Sequence, residues 1–340
     1  TAASAPCRGA ASGAPAMGEQ FKWNPSTERM GQMMRQSVYM EDMVTLQHLV
    51  RQRADLEARD ETGATPLHVA ATQCRPATIS WLVAQKADLS AKDGDGFTAL
   101  TWACLKGHRE VVAKLIQGRA DVEETSAGNG KTPLTLSAER GHFQVVQELL
   151  ASRAPLEQVN GDGSTPLMCA AHNSEAEVVA HLLGRNSLVG CTDTEGWTAL
   201  MYAANAPLPA ALSTGDLGER RVVIDGVLGR RTTVELLLLH RSDVNAQTAD
   251  GLSPLIVAAT RDRPVAVRQM LECKAQVNMS SVRGQTPLLM AAAHDLPEVV
   301  KALILSEADV NAVNAKNDSP LSIAEKNSYK EVVDLLKKAG

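Results

Sequence analysis

Aromatic residues are scarce in this chain: Phe, Tyr and Trp make up 3% of 340 residues, although 44% are hydrophobic. A single core of that length would draw on large rings, which bury the most area per side chain. The apolar residues therefore point to small, repeated packing units, and they override the two or three domains that length alone suggests. Positive charge is not in excess either. A net charge of -5 and a pI near 5.9 argue against the basic face that phosphate backbones require, so nucleic acid is not expected as the main partner. No apolar run approaches the roughly 18 residues of a membrane helix. The longest candidates, such as Val234 to Leu239, are far shorter, so direct membrane insertion is not expected.

Catalytic signatures are equally sparse. The six cysteines (Cys7, Cys74, Cys104, Cys169, Cys191 and Cys273) are irregularly spaced, with no CxxC or Cys/His pair. They read as free thiols packed as small hydrophobes in a reducing compartment. No HExxH or GxSxG occurs. Gly130-Lys131-Thr132 imitates the end of a phosphate loop, but that loop needs a glycine where Thr125 stands. Asp93 and Asp95 fall in turns, where Asp bonds its own backbone. No catalytic residue, metal site, cofactor or small-molecule substrate is expected, and the chain reads as not an enzyme.

What the chain does have is a period. A Gly, any residue, then Thr or Ser, Pro or Ala, and Leu first occurs at Gly63-Ala64-Thr65-Pro66-Leu67. The hydroxyl residue of that signal recurs as Thr65, Thr98, Thr132, Thr165, Thr198, Ser253, Thr286 and Ser319, at steps of 33 or 34 with one step of 55. The glycine supplies the positive φ of a tight turn, and Asn317 replaces it in the last copy. The hydroxyl caps a helix whose first position suits proline. An Ala pair such as Ala70-Ala71 lets neighbouring helices approach closely. Gly107-His108 and Gly141-His142 end the short helix, and a second helix follows with apolar residues at helical spacing, as in Val111, Val112, Leu115 and Ile116.

The pattern D-x-x-G-x-T-P-L-H-x-A, then G-H, V-V-x-x-L-L and A-D-V-N, resembles the ankyrin repeat. It is nearly complete from Asp60 to Ala71 and closes as Ala308-Asp309-Val310-Asn311 and Ser242-Asp243-Val244-Asn245. His68 is replaced elsewhere by Thr101, Thr135, Met168, Met201, Ile256, Leu289 and Ser322, so only one repeat keeps the family's hydroxyl–His network. The resemblance implies an all-α ankyrin-repeat solenoid of about eight helix-turn-helix repeats with β-turn tips, preceded by a diverged N-terminal capping helix pair.

Three segments depart from the repeat. Residues 1–24 form an Ala/Ser/Gly/Pro-rich arm with too little apolar surface to order itself. Residues 25–59 read as the capping pair, rich in Met (Met30, Met33, Met34, Met40 and Met43), which is adaptable core filling or a soft contact face. Within the repeat domain of 60–340, the step of 55 marks an insertion at about 205–231. There Asp225-Gly226 between β-branched runs predicts a hairpin flanked by Arg220, Arg221, Arg230 and Arg231.

Function then rests on surfaces. Ankyrin-type partners meet the turn tips, the exposed end of the first helix and the concave face. On the tips, between Gly and the hydroxyl, stand Phe97, Trp197, Lys131 and Leu252. Past the Ala pair stand Leu105, Lys106 and Arg140. With the hairpin arginines, these are the candidate partner-binding residues. The resemblance implies a non-catalytic scaffold or adaptor for other proteins. The alternative is a permanent accessory or assembly subunit of a larger complex, organellar, photosynthetic or respiratory, docked by the arm and the insertion. The expected location is cytoplasmic. The Ser/Ala-rich, acid-poor arm makes a plastid or mitochondrion, after transit-peptide removal, the alternative.

Overall fold

The computed structural model describes residues 27–207, 221–224, 227–230 and 232–340. The arm of residues 1–24, with Arg220 and Arg231, lies outside the described residues. The chain divides into two compact units, Thr1–Gly128 and Asn129–Gly340.

The first unit holds three helix pairs: α1 (Thr27–Met40) with α2 (Met43–Arg51), α3 (Pro66–Thr72) with α4 (Pro76–Ala84), and α5 (Ala99–Lys106) with α6 (Arg109–Gln117). The second holds six. They are α7 (Pro133–Glu139) with α8 (Phe143–Ala151), α9 (Pro166–His172) with α10 (Ala176–Gly184), and α11 (Ala199–Asn205) with α12 (Thr233–Leu239). The last three are α13 (Pro254–Thr260) with α14 (Pro264–Glu272), α15 (Pro287–Ala293) with α16 (Pro297–Leu305), and α17 (Pro320–Lys326) with α18 (Lys330–Ala339). Within each unit first helices pack on first helices and second on second. Among the described residues the only strands are β1 (Arg221–Ile224) and β2 (Val227–Arg230), an antiparallel hairpin between α11 and α12. Its register pairs Arg221 with Arg230 and Ile224 with Val227, and the Asp225-Gly226 that the sequence places at its turn lies outside the described residues. The side chains of Arg221 and Arg230 lie outside the description.

The first helices are only seven or eight residues long, too short to stand alone in water. Caps and packing hold them. All eight periodic hydroxyl residues are N-caps in extended backbone, and in α7, for example, the Thr132 hydroxyl accepts the Thr135 N–H at 3.1 Å. Two residues on, Leu67, Leu100, Leu134, Leu167, Leu200, Leu255 and Leu288 are buried. Each such burial contributes about 1.5–3 kcal/mol. The alanines behind them, Ala70-Ala71 and Ala291-Ala292 among them, are buried too and let the next first helix approach.

The family's histidine has a divided role. His68 Nδ1 accepts from the Thr65 N–H and hydroxyl, while Nε2 donates to the Phe97 carbonyl of the next repeat at 2.9 Å. Thr101, Thr135 and Ser322 keep the first half of this arrangement. Their hydroxyls accept the N–H of Thr98, Thr132 and Ser319 at 2.8–2.9 Å, with no reach to the next repeat. His108 Nε2 meets the Thr72 carbonyl of the preceding repeat at 3.2 Å, a structural bond at the Gly-His position.

Successive turns are tied backbone to backbone. Gly94 N–H donates to the Thr62 carbonyl at 2.8 Å, and Ala127 N–H to the Gly96 carbonyl at 3.1 Å. In the second unit Thr194 donates to Asp162, Val282 to Asp250 and Ala315 to Arg283, at 2.9–3.1 Å. A second ladder runs through the closing A-D-V-N: the Glu57 carboxylate accepts from Asp88 N–H, Glu157 from Leu188, and the Asn245 and Asn278 side chains from Gln276 and Asp309, at 2.8–2.9 Å.

Some assignments from the sequence shift. Of the cap methionines Met34 is fully buried, whereas Met40 stands 68% exposed beside Tyr39 and Val44 at 53% and 79%. Not every cysteine is a buried hydrophobe: Cys104 and Cys169 are, but Cys74 and Cys191 are half-buried and Cys273, capping the C-terminus of α14, is exposed.

Two predictions follow from the turns and the cap. A Cβ at Gly96 (φ +76°) would lie 2.0 Å from Ala127 Cβ, whereas one at Gly128 (φ +80°) meets nothing within 4 Å. Gly128→Ala should lose about 1 kcal/mol from backbone strain alone. Gly96→Ala should lose clearly more, and equal losses in denaturant unfolding would show that turn stacking contributes nothing. Burial holds the His68 imidazole below its usual 6.5. Its contribution is therefore full above pH 6.5 and fades as pH falls, because the unfolded chain takes up the proton first. His68→Thr, which keeps the local cap, should cost roughly 1–3 kcal/mol at pH 7.5. That difference from wild type should shrink between pH 6.5 and 5, as read by urea midpoints.

Candidate protein-binding surface

Six of the eight turns are closed by the side chain five positions before the capping hydroxyl; Ala127 and Asn160 at that place do not close theirs this way. Asp93 Oδ1 accepts the N–H of Asp95 and Phe97 at 3.1 and 2.9 Å, and Asp193 Oδ1 those of Glu195 and Trp197 at 2.9 and 2.8 Å. Thr248, Ser281 and Asn314 do the same work with a hydroxyl or amide oxygen. The turn is held rigid, and its tip residue leaves at a set angle.

In two turns the second carboxylate oxygen reaches the first helix. Asp93 Oδ2 accepts from Trp102 Nε1, and Asp193 Oδ2 from the Tyr202 hydroxyl. Both donors sit four residues after the cap. Asn160 and Cys169 make a weaker link in the opposite direction, with Asn160 Nδ2 donating to Cys169 Sγ at 3.4 Å. The tip ring then stacks on the helix ring: Phe97 on Trp102 with centroids 5.0 Å apart, and Trp197 on Tyr202 at 5.4 Å. All four rings are half-buried.

The predicted site residues sort accordingly. In the first unit Phe97 and Lys106 come together through Trp102, with Lys106 Nζ 5.8 Å from the Trp102 ring centroid and Leu105 half-buried beside it in sequence. In the second unit Lys131 forms an ion pair with Glu139 that ties tip to helix, while Arg140 is exposed. Trp197 stands with Tyr202, whose other side meets His172 edge-on at 5.6 Å. Leu252 is half-buried on a turn closed by Thr248. Trp102, Tyr202, Asp93 and Asp193 were not among the residues expected from sequence. The available signal was an Asp five before the cap paired with a ring four after it.

The electrostatics keep the hydroxyl and the thiol near this surface protonated. Burial, then the Asp193 hydrogen bond, push the Tyr202 hydroxyl up, so it stays a donor across the physiological range. Burial pushes the Cys169 thiol up to about 12, far from a nucleophile's range. Among the described residues no three His, Cys, Asp or Glu side chains are grouped to hold a metal, and no helix is long and apolar enough to cross a membrane.

A family model of ankyrin repeats in three copies matches residues 36–126, 118–188, 149–211 and 227–314, well over half of the sequence. The chain belongs to the ankyrin repeat family. Its first match begins inside α1, so the helix pair without the Thr-Pro-Leu signal is partly within it, and the interval from 212 to 226 falls where the insertion interrupts the fifth repeat signal. No individual curated protein matches the chain. Ankyrin repeats are in general protein–protein interaction modules, typically non-catalytic, and they imply protein partners.

Tyr202→Phe tests the turn-to-helix brace. It keeps the ring stack and removes the donor to Asp193, and it should lower stability by about 1 kcal/mol. Unchanged stability in thermal and urea melts would mean that the brace is idle.

Proposed function

We propose that this ankyrin protein is a non-catalytic scaffold or adaptor that binds partner proteins through its turn tips and the exposed ends of its first helices. The observation that carries this reading is the pair of braced aromatic tips, Phe97 on Trp102 and Trp197 on Tyr202. Rings that are rigid, half-buried and already ordered lose little entropy on binding, and such residues dominate interface energies. Lys106, Arg140, Lys131 and Leu252 supply the varied surroundings that give a scaffold its choice of partner.

A second reading, a permanent subunit of a larger assembly, draws on the capping pair. Tyr39, Met40 and Val44 expose more apolar surface at the meeting of α1 and α2 than a solvated cap requires.

Native mass with identification of co-purifying proteins separates the two. A fixed stoichiometry in a large species supports the subunit, and a free chain near 36.2 kDa supports the adaptor. For the partner so identified, Trp197→Ala or Phe97→Ala should weaken binding by at least about tenfold, the loss expected of a hot-spot ring. The melting midpoint should stay within a few degrees of wild type. Undiminished binding by both variants would remove the tips from the interface.

A further inference from the structure

The two aromatic tips share one geometry but differ at one position. In the first unit Lys106, eight residues after the cap, lies over Trp102. The equivalent position in the repeat of Trp197 and Tyr202 is Ala206, which is buried. The neighbouring cation, Arg261, is held by Asn205 Oδ1 at 2.7 Å, and Arg263 donates to the Ala206 carbonyl. In the first unit a primary ammonium group thus stands over the helix ring, and at Trp197–Tyr202 the matching position supplies none. Cations favour aromatic faces, and a nearby carboxylate adds to the attraction.

The tips around Trp197 carry a charge order that points the same way. Three residues before the cap, one exposed side chain per repeat runs Asp162, Glu195, Asp250, Arg283, Lys316. Three acids are followed by two bases. Backbone bonds hold these turns side by side at the Asp162–Thr194, Asp250–Val282 and Arg283–Ala315 steps. Neighbouring helices stack roughly 8–10 Å apart, and three extended residues span about 10 Å.

We infer that the Trp197–Tyr202 face receives a lysine or arginine of a partner protein, carried on an extended segment whose basic residues meet Asp162, Glu195 and Asp250 and whose following acidic residues meet Arg283 and Lys316. Contacting residues recur every third position. Asp193 orients the site without meeting the cation, since both its oxygens are used by the turn and by Tyr202. Lys131, spent on Glu139, does not oppose an incoming base. This inference rests on the protein-binding reading and names the chemistry of the bound segment.

The probe is a thirteen-residue Ser/Gly peptide with Lys at positions 1, 4 and 7 and Glu at 10 and 13. It is synthesised in both chain directions, beside a peptide of the same composition with Lys and Glu alternating. Binding to the full chain is followed by calorimetry and by the resonance of the Trp197 indole N–H. One direction of the ordered peptide should bind at least tenfold tighter than the alternating one, weaken with salt and shift the Trp197 signal. Trp197→Ala should abolish the preference. Glu195→Lys should lose the ordered peptide and regain binding when its central Lys is changed to Glu. Equal affinity for ordered and alternating peptides, or binding of neither direction, overturns the proposal. In that event a native partner that still depends on Trp197 would leave the scaffold reading standing, whereas a partner indifferent to every tip would end that reading separately.

Discussion

The backbone hydrogen bond from one turn to the next governs the rest of this architecture. For Gly94 to donate to the Thr62 carbonyl, the two turns must approach until a Cβ at Gly63 would lie 2.7 Å from Gly94 nitrogen. Only glycine meets both the positive φ and the closeness there. Once that contact is made, the spacing of successive caps is set, and with it the meeting of the buried leucines and the Ala pairs. The period of 33 residues is the length of chain needed to leave a turn, run two short helices and return beside the same turn. The insertion after α11 is tolerated because it enters between the two helices of a pair, where it lengthens one connection and leaves the turn contact alone.

The polar network shows why repeats can lose family residues without losing the fold. A histidine at the fourth position does two separable things: it closes the cap within its own repeat and it reaches the next repeat's carbonyl. Thr101, Thr135 and Ser322 replace the first with a hydroxyl at similar distance. The second is shared with the turn bonds and with the Glu or Asn ladder that ends each repeat. Stability is spread over several bonds per interface, so departures at one position remain local, as expected where each repeat touches only its neighbours.

Period and cap chemistry were legible because each depends on a few adjacent residues. All eight hydroxyls singled out by spacing are helix N-caps, and the strands expected on either side of Asp225-Gly226 pair as a hairpin. The braced aromatics were not legible in the same way. Trp102 and Tyr202 lie nine residues from the aspartates that hold them, on a different element, and the comparison of repeats treats their position as merely variable: Val69, Leu136, Cys169 and Ile323 occupy it elsewhere. The methionines of the cap illustrate a further limit. Composition identifies the cluster, but only the path of α1 and α2 buries Met34 and exposes Met40. Repeat signals are shared by every copy, while recognition lies in the departures, so the property that makes the fold readable hides the site.

The scarcity of aromatic residues now has a physical account. Among the described residues no Phe, Tyr or Trp belongs to the fully buried core, which is built mainly from Leu, Val, Ala, Ile and Met. Short helices brought together on alanine leave no space for a ring between them. A ring in this chain must therefore stand at the edge of the stack, where part of its surface stays in water at a cost in solubility. Phe97, Trp102, Trp197 and Tyr202 occupy that edge in two pairs, each tied down by an aspartate that is also the keystone of its turn. A ring that served only to fill a gap would need no such tether. Holding it costs the turn nothing, because the first carboxylate oxygen already closes the loop and the second is left to receive the helix donor. What the tether provides is orientation: a fixed aromatic face beside a carboxylate, presented at the tip before any partner arrives.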